Sequence, residues 1–206
     1  CNGEKTSPHQ AWVTKLSALI EKEFGNTFVV VNSSINGNTT RMALERMYHD
    51  VLSREPILMV LQFGINDCNY WDSDLGISRV SPDAFKANLR EIIARAFTFG
   101  TRSVLINTNH PTNISKPILG NNNTHQQGNL VYNQLIRELA AELPDVTLID
   151  IEVAFEKALV RNESFESLLM DDGIHLNLAG NDLYLDTVAP CLLSALRDIH
   201  METKGD

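Results

Sequence analysis

"PILMVLQFGIND", residues 56–67, begins as an unbroken apolar run and ends on Gly64, Asn66 and Asp67. The apolar part is short, rich in branched residues and bounded by Pro56 and a glycine, which predicts a buried strand over 56–64. Such a run has no polar face, so both of its faces need covering, as in a parallel sheet flanked by helices. The neighbouring sequence has the same texture. Residues 8–23 place Trp12, Leu16, Leu19 and Ile20 at helical spacing after a Ser-Pro start, "TFVVVN" at 27–32 is a β-branched run, and 38–55 returns to a helical period. Downstream come a helix over 81–100 closing on Gly100, a strand over 102–109, a helix over 128–143, a strand over 145–151 and a last helix over about 178–198. Helix and strand alternate without repeat, low-complexity tract or linker. The expectation is one α/β domain over residues 1–206, with its parallel sheet covered on both sides.

Composition narrows the function classes. A formal net charge of −9 disfavours nucleic acid or an anionic membrane surface as the main partner. No apolar run approaches the ~20 residues a transmembrane helix needs. The start, "CNGEKTSPHQ", is polar and does not read as a signal peptide, so the compartment stays open: cytoplasmic, or exported after loss of a leader. Cys1, Cys68 and Cys191 lie at wide, unrelated spacings that fit neither a disulfide framework nor a zinc site. Cys68 reads as a bystander thiol. His110, His125 and Asp72 lack metal-ligand spacing, and neither a metal nor a cofactor is assigned.

In sheets of this kind ligands bind beyond the carboxyl ends of the strands. Two such segments carry unusual chemistry. "FGIND" puts the Asn66 carboxamide at the mouth of a strand, and "NSSINGNTT" brings Gly37, whose backbone N–H can approach a ligand with no side chain in the way. Two such donors aimed at one point would form an oxyanion hole. Near the C-terminus, "MDDGIHLN" sets Asp172 three residues before His175, an imidazole base with a carboxylate to fix its tautomer.

"INGNTT", "GIND" and "DGIHLN", in this order, resemble the SGNH hydrolases, also called the GDSL family of esterases and lipases. The resemblance runs from Trp12 to the last helix. It implies a three-layer α/β/α sandwich of flavodoxin-like order that hydrolyses small-molecule acyl esters through a Ser-His-Asp triad. On that resemblance His175 is the general base, Asp172 its orienting carboxylate, and Gly37 and Asn66 are the oxyanion donors. Asp171 is the neighbour that a register shift of one would pick instead.

One block departs from the pattern. The family's nucleophile lies in a Gly-Asp-Ser motif at the end of a first strand, and neither motif nor strand occurs among these residues. Ser33 and Ser34 occupy the segment that should deliver Gly37. The chain therefore reads as starting just after its catalytic serine, with the strands at 27–32 and 57–62 expected to flank an open slot. The competing reading is a non-catalytic module that holds an ester or glycan on the same fold. Asp67 is expected to be structural, pairing with Arg41. The long connection over 109–127 suggests a lid, and Tyr70, Trp71, His110 and Ile118 suggest a wall for an acyl or sugar group.

Overall fold

Of the four apolar runs predicted as strands, three pair into a sheet. The computed structural model describes residues 7–114, 123–161 and 164–205. In chain order its elements are α1 (Trp12–Phe24), α2 (Thr40–Asp50), β1 (Leu58–Gln62), α3 (Ile65–Cys68), α4 (Pro82–Thr98), β2 (Ser103–Asn107), α5 (His125–Glu142), β3 (Val146–Ile149), α6 (Ile151–Val160), α7 (Phe165–Leu168) and α8 (Leu178–Gly205). The protein is α/β, and the sheet is parallel in the order β1-β2-β3, with Val60 opposite Leu105 and Leu105 opposite Thr147. The chain divides into two compact units: Gly37–Val153, which holds the sheet, and Cys1–Asn36 with Ala154–Asp206.

In the sheet unit the helices start where the sequence supplies caps. The Ser81 hydroxyl accepts from the Ala84 N–H ahead of Pro82, and Thr124 and Gln127 exchange bonds in a capping box at the head of α5. Phe85, Leu89 and Ile93 of α4 and Tyr132, Ile136 and Leu139 of α5 form one core with Leu61, Val104 and Ile106 of the strands. Full burial of each large apolar side chain is worth about 1.5–3 kcal/mol. The core has a polar fastener as well, since the Tyr132 hydroxyl donates to the Val80 carbonyl.

In the other unit α1 lies against α8. Trp12 stacks on Tyr184 with ring centroids 4.7 Å apart, and the Trp12 N–H donates to Asn181 Oδ1 at 3.2 Å. Leu16 and Ile20 are buried as the helical spacing requires, whereas Leu19 is exposed.

The fourth run does not form a strand. Residues 28–36 carry no regular structure, and Val29 is 85% and Val31 52% exposed. A β-branched run becomes a strand when neighbours pair with it and cover it; no described strand bonds to this one, and the only described ladder of β1 is with β2. The expected pair of strands flanking a slot is therefore not present. The strand predicted over 145–151 stops at Ile149, and Ile151 opens α6, a helix that the sequence reading passed over.

Candidate active site

The four predicted residues fall into two pairs, one in each unit. Gly37 and Asn66 belong to the sheet unit. Gly37 has φ of 75°, the left-handed region that glycine occupies without strain, and a Cβ there would meet no atom within 4 Å. Asn38 and Thr39 follow, and the Thr39 hydroxyl caps α2 by accepting from the Met42 N–H. Asn66 sits in the single-turn α3, just past β1. Its Nδ2 donates to the Asn38 carbonyl at 3.1 Å, which ties the carboxamide to the residue after Gly37.

The turn between β1 and α3 depends on Gly64. Its φ is 129°, and a Cβ would stand 2.3 Å from Asn109 Nδ2. Asn109 is itself fixed. Its backbone N–H and Nδ2 both donate to Asn133 Oδ1, at 2.7 and 3.2 Å, and Asn133 Nδ2 returns a bond to the Asn109 carbonyl at 3.0 Å. The residue ahead of Ile65 and Asn66 is thus packed against a buried amide pair that joins the end of β2 to α5. Asn109 and Asn133 were not singled out from sequence. The only hint was the density of small polar residues in "NTNHPTN", directly after β2.

Asp172 and His175 belong to the other unit, on a hairpin closed by the antiparallel bridge of Leu169 with Leu176. The Met170 N–H donates to the His175 carbonyl at 2.7 Å, and Gly173 turns the chain with φ of 69°. Asp172 Oδ1 accepts from the N–H groups of Ile174 (3.0 Å) and His175 (2.9 Å), while Oδ2 stands 2.8 Å from His175 Nδ1. One oxygen therefore shapes the turn and the other holds the ring. A carboxylate facing Nδ1 favours the tautomer with hydrogen on that nitrogen, which makes Nε2 the basic one. The side chains are 52% (His175) and 30% (Asp172) exposed, and Asp171 is exposed beside them. Asn177 anchors the hairpin to α8: its Nδ2 donates to the Leu169 carbonyl, and its Oδ1 accepts from the Gly180 N–H.

The remaining candidates sort by burial. Cys68 is buried, and desolvation pushes its thiol up to about 12, so it is no nucleophile at neutral pH. Asp67 pairs with Thr40 rather than with Arg41 as predicted: the N–H and hydroxyl of a helix's first turn take the place of the guanidinium. His110 is buried with Nδ1 2.9 Å from the Pro111 carbonyl. Trp71 is exposed, with the Arg79 guanidinium 5.0 Å from its ring centroid. Ile118 and part of the predicted lid lie outside the described residues. Ser33 and Ser34 sit in the irregular segment rather than at the end of a strand formed by 27–32. Among the described residues no helix is long and apolar enough to cross a membrane.

Comparison with known proteins agrees with the fold. Residues 2–183 match the GDSL-like lipase/acylhydrolase family, and the chain belongs to that family. Esterase TesA of Pseudomonas aeruginosa is 24% identical over 183 residues, covering 89% of this chain and 78% of that one. An alpha/beta hydrolase enzyme from the metagenome of Lake Arreo, Spain, is similar in structure, with a TM-score of 0.72, 26% identity, and 90% of this chain and 81% of that one covered. An acetylxylan esterase from Geobacillus stearothermophilus shares the fold with a TM-score of 0.72 at 21% identity, covering 86% of this chain and 78% of its own.

Proposed function

We propose that this chain works as an ester hydrolase in which His175 is the general base, Asp172 orients it, and Gly37 and Asn66 stabilise the oxyanion. The observation that carries the reading is the 2.8 Å approach of Asp172 Oδ2 to His175 Nδ1 on a turn that the same carboxylate builds. A carboxylate placed so leaves Nε2 to take a proton, the division of labour a serine hydrolase needs. The nucleophile in this proposal is a serine contributed by residues upstream of Cys1.

The chemistry then runs in two halves. The serine oxygen attacks the acyl carbonyl as His175 Nε2 takes its proton. The carbonyl oxygen becomes an anion that accepts from the Gly37 N–H and from the Asn66 hydrogen not committed to Asn38. The tetrahedral intermediate collapses, His175 returns the proton to the departing alcohol, and an acyl-serine remains. Water activated by His175 repeats the sequence and releases the acid. A formal net charge of −9 disfavours an anionic lipid interface, so the substrate class we propose is a small or carbohydrate-borne ester.

The test is the complete protein, with the residues that precede Cys1 in its coding sequence, assayed on short-chain acyl esters and treated with a serine-directed phosphonate. Turnover together with one phosphonylated serine upstream of Cys1 is expected. A folded complete protein that binds such esters without hydrolysing them would make it a binding module.

A further inference from the structure

Asp67 follows the proposed oxyanion donor Asn66 and is 0% exposed. Carboxylates are rarely so buried unless partnered, and the partners here are specific. Its Oδ1 accepts from both donors of one residue, the Thr40 N–H at 2.8 Å and the Thr40 hydroxyl at 2.6 Å. A hydroxyl has one hydrogen, and Thr40 directs it at Asp67, so Asn88 Nδ2, 3.0 Å from the same oxygen, donates to it. The result is a directed chain from Asn88 on α4, through Thr40 in the first turn of α2, to Asp67 on α3.

The chain joins two segments that chemistry must also join. Thr40 lies three residues after Gly37, and Asp67 one residue after Asn66. Between the same segments runs the bond from Asn66 Nδ2 to the Asn38 carbonyl. Asp67 Oδ2 is buried and makes no hydrogen bond of good geometry, an arrangement a protein core otherwise avoids. Burial pushes this carboxyl above its ordinary range, against the opposing pull of the Thr40 hydroxyl, the Thr40 and Gly64 N–H groups and the Arg79 charge. A group kept under that strain is doing more than filling space, which an apolar side chain would do at lower cost.

We infer that Asp67 is a positioning residue whose paired bonds to Thr40 set the approach of the Asn66 carboxamide to the Gly37–Asn38 backbone, and so aim both donors at the developing oxyanion. This rests on the reading of Asn66 as an oxyanion donor. Because Asp67 acts through Asn66, its loss lowers turnover without weakening substrate binding. Misplacement of a catalytic group by about 1 Å can cost ~10²-fold in rate.

The experiment is a double-mutant cycle in the complete protein on a short-chain acyl ester. Asp67→Ala is expected to lower kcat by about 10²-fold with KM nearly unchanged, and Asp67→Asn, which keeps an acceptor at Oδ1, to recover most of that loss. Asn66→Ala combined with Asp67→Ala should turn over no more slowly than Asn66→Ala alone. Thr40→Val removes only the hydroxyl and gives the same cycle if Asp67→Ala does not fold. Full additivity in whichever cycle folds, or a folded Asp67→Ala with the parent kcat, overturns the inference while leaving Asn66 its role. An Asn66→Ala protein with the parent kcat overturns the oxyanion reading instead, and this inference with it.

Discussion

The Asp172–His175 hairpin and the Gly37–Asn66 corner are built in opposite ways. In the hairpin the bonds that the Asp172 side chain makes span no more than three residues, those that close the turn stay within its own stretch of sequence, and both side chains are substantially exposed. In the corner the bonds are long-range and buried or half-buried: Thr40 to Asp67 is a separation of 27 residues, Asn66 to Asn38 of 28, and Asn109 to Asn133 of 24. A local turn can place a base without contributing much to stability. A long-range corner cannot place its donors unless the surrounding core is formed, so there stability and catalysis are coupled. The account therefore predicts that hairpin substitutions cost activity alone, while corner substitutions cost both.

The largest effect is expected at Asp172. Asp172→Asn in the complete protein leaves the turn able to form but presents the wrong partner to Nδ1, and kcat should fall by about 10⁴-fold with Tm unchanged. Asp171→Asn, one residue away, should be mild, and parity of the two variants in steady-state assays would break the assignment. Next is Asn66→Ala, expected to lower kcat by ~10²–10³ with little change in KM. A change mainly in KM would make Asn66 a substrate-binding residue.

Two glycines sharpen the comparison on the stability side. Gly64→Ala meets Asn109 Nδ2 at 2.3 Å in a backbone conformation closed to alanine, and should destabilise by about 3 kcal/mol or more in denaturant unfolding. Gly37→Ala has open space and only the left-handed φ to contend with, so its cost should be about 1–2 kcal/mol. Equal costs would contradict the picture of a corner locked by the Asn109–Asn133 pair.

The smallest effect is pH dependence. Burial holds the Asp67 carboxyl above 3.8, so the folded state keeps this proton more tightly than the unfolded chain does. Its contribution to stability is full below the unfolded value and is lost as pH rises through the raised folded value. Asp150 runs the other way. Burial raises it, but Arg137, the Val153 N–H and the Thr108 hydroxyl together outweigh burial and hold it below 3.8, so its contribution is present above the unfolded value and is lost as pH falls through the lowered one. From about pH 4 upward, Tm should therefore decline less in Asp67→Asn than in the parent. Parallel curves by calorimetry would remove Asp67 as the source.

The same contrast explains what the sequence could say. The hairpin was legible because its chemistry lies within eight consecutive letters. The strand at Leu58–Gln62 was legible from its apolar run, yet "TFVVVN" has a comparable run and forms no strand, because pairing depends on a neighbour and not on the run itself. Reading charge against charge suggested Arg41 for Asp67, whereas the fold offers the hydroxyl and N–H of Thr40 at a helix N-terminus, a place that also suits a carboxylate. The helix at 151–160 has its own signature in the sequence. Ile151, Phe155 and Ala158 are buried at helical spacing, but the apolar run "TLIDI" passes from strand to helix without a break, which hides where the strand ends at Ile149.

The central claim is that the hairpin carries the base of an ester hydrolase and little of its stability. The most direct test is kcat and Tm of His175→Ala in the complete protein, measured side by side on a short-chain acyl ester. The account predicts a parent-like Tm with turnover reduced by about 10⁴-fold or more. Turnover near that of the parent would contradict it.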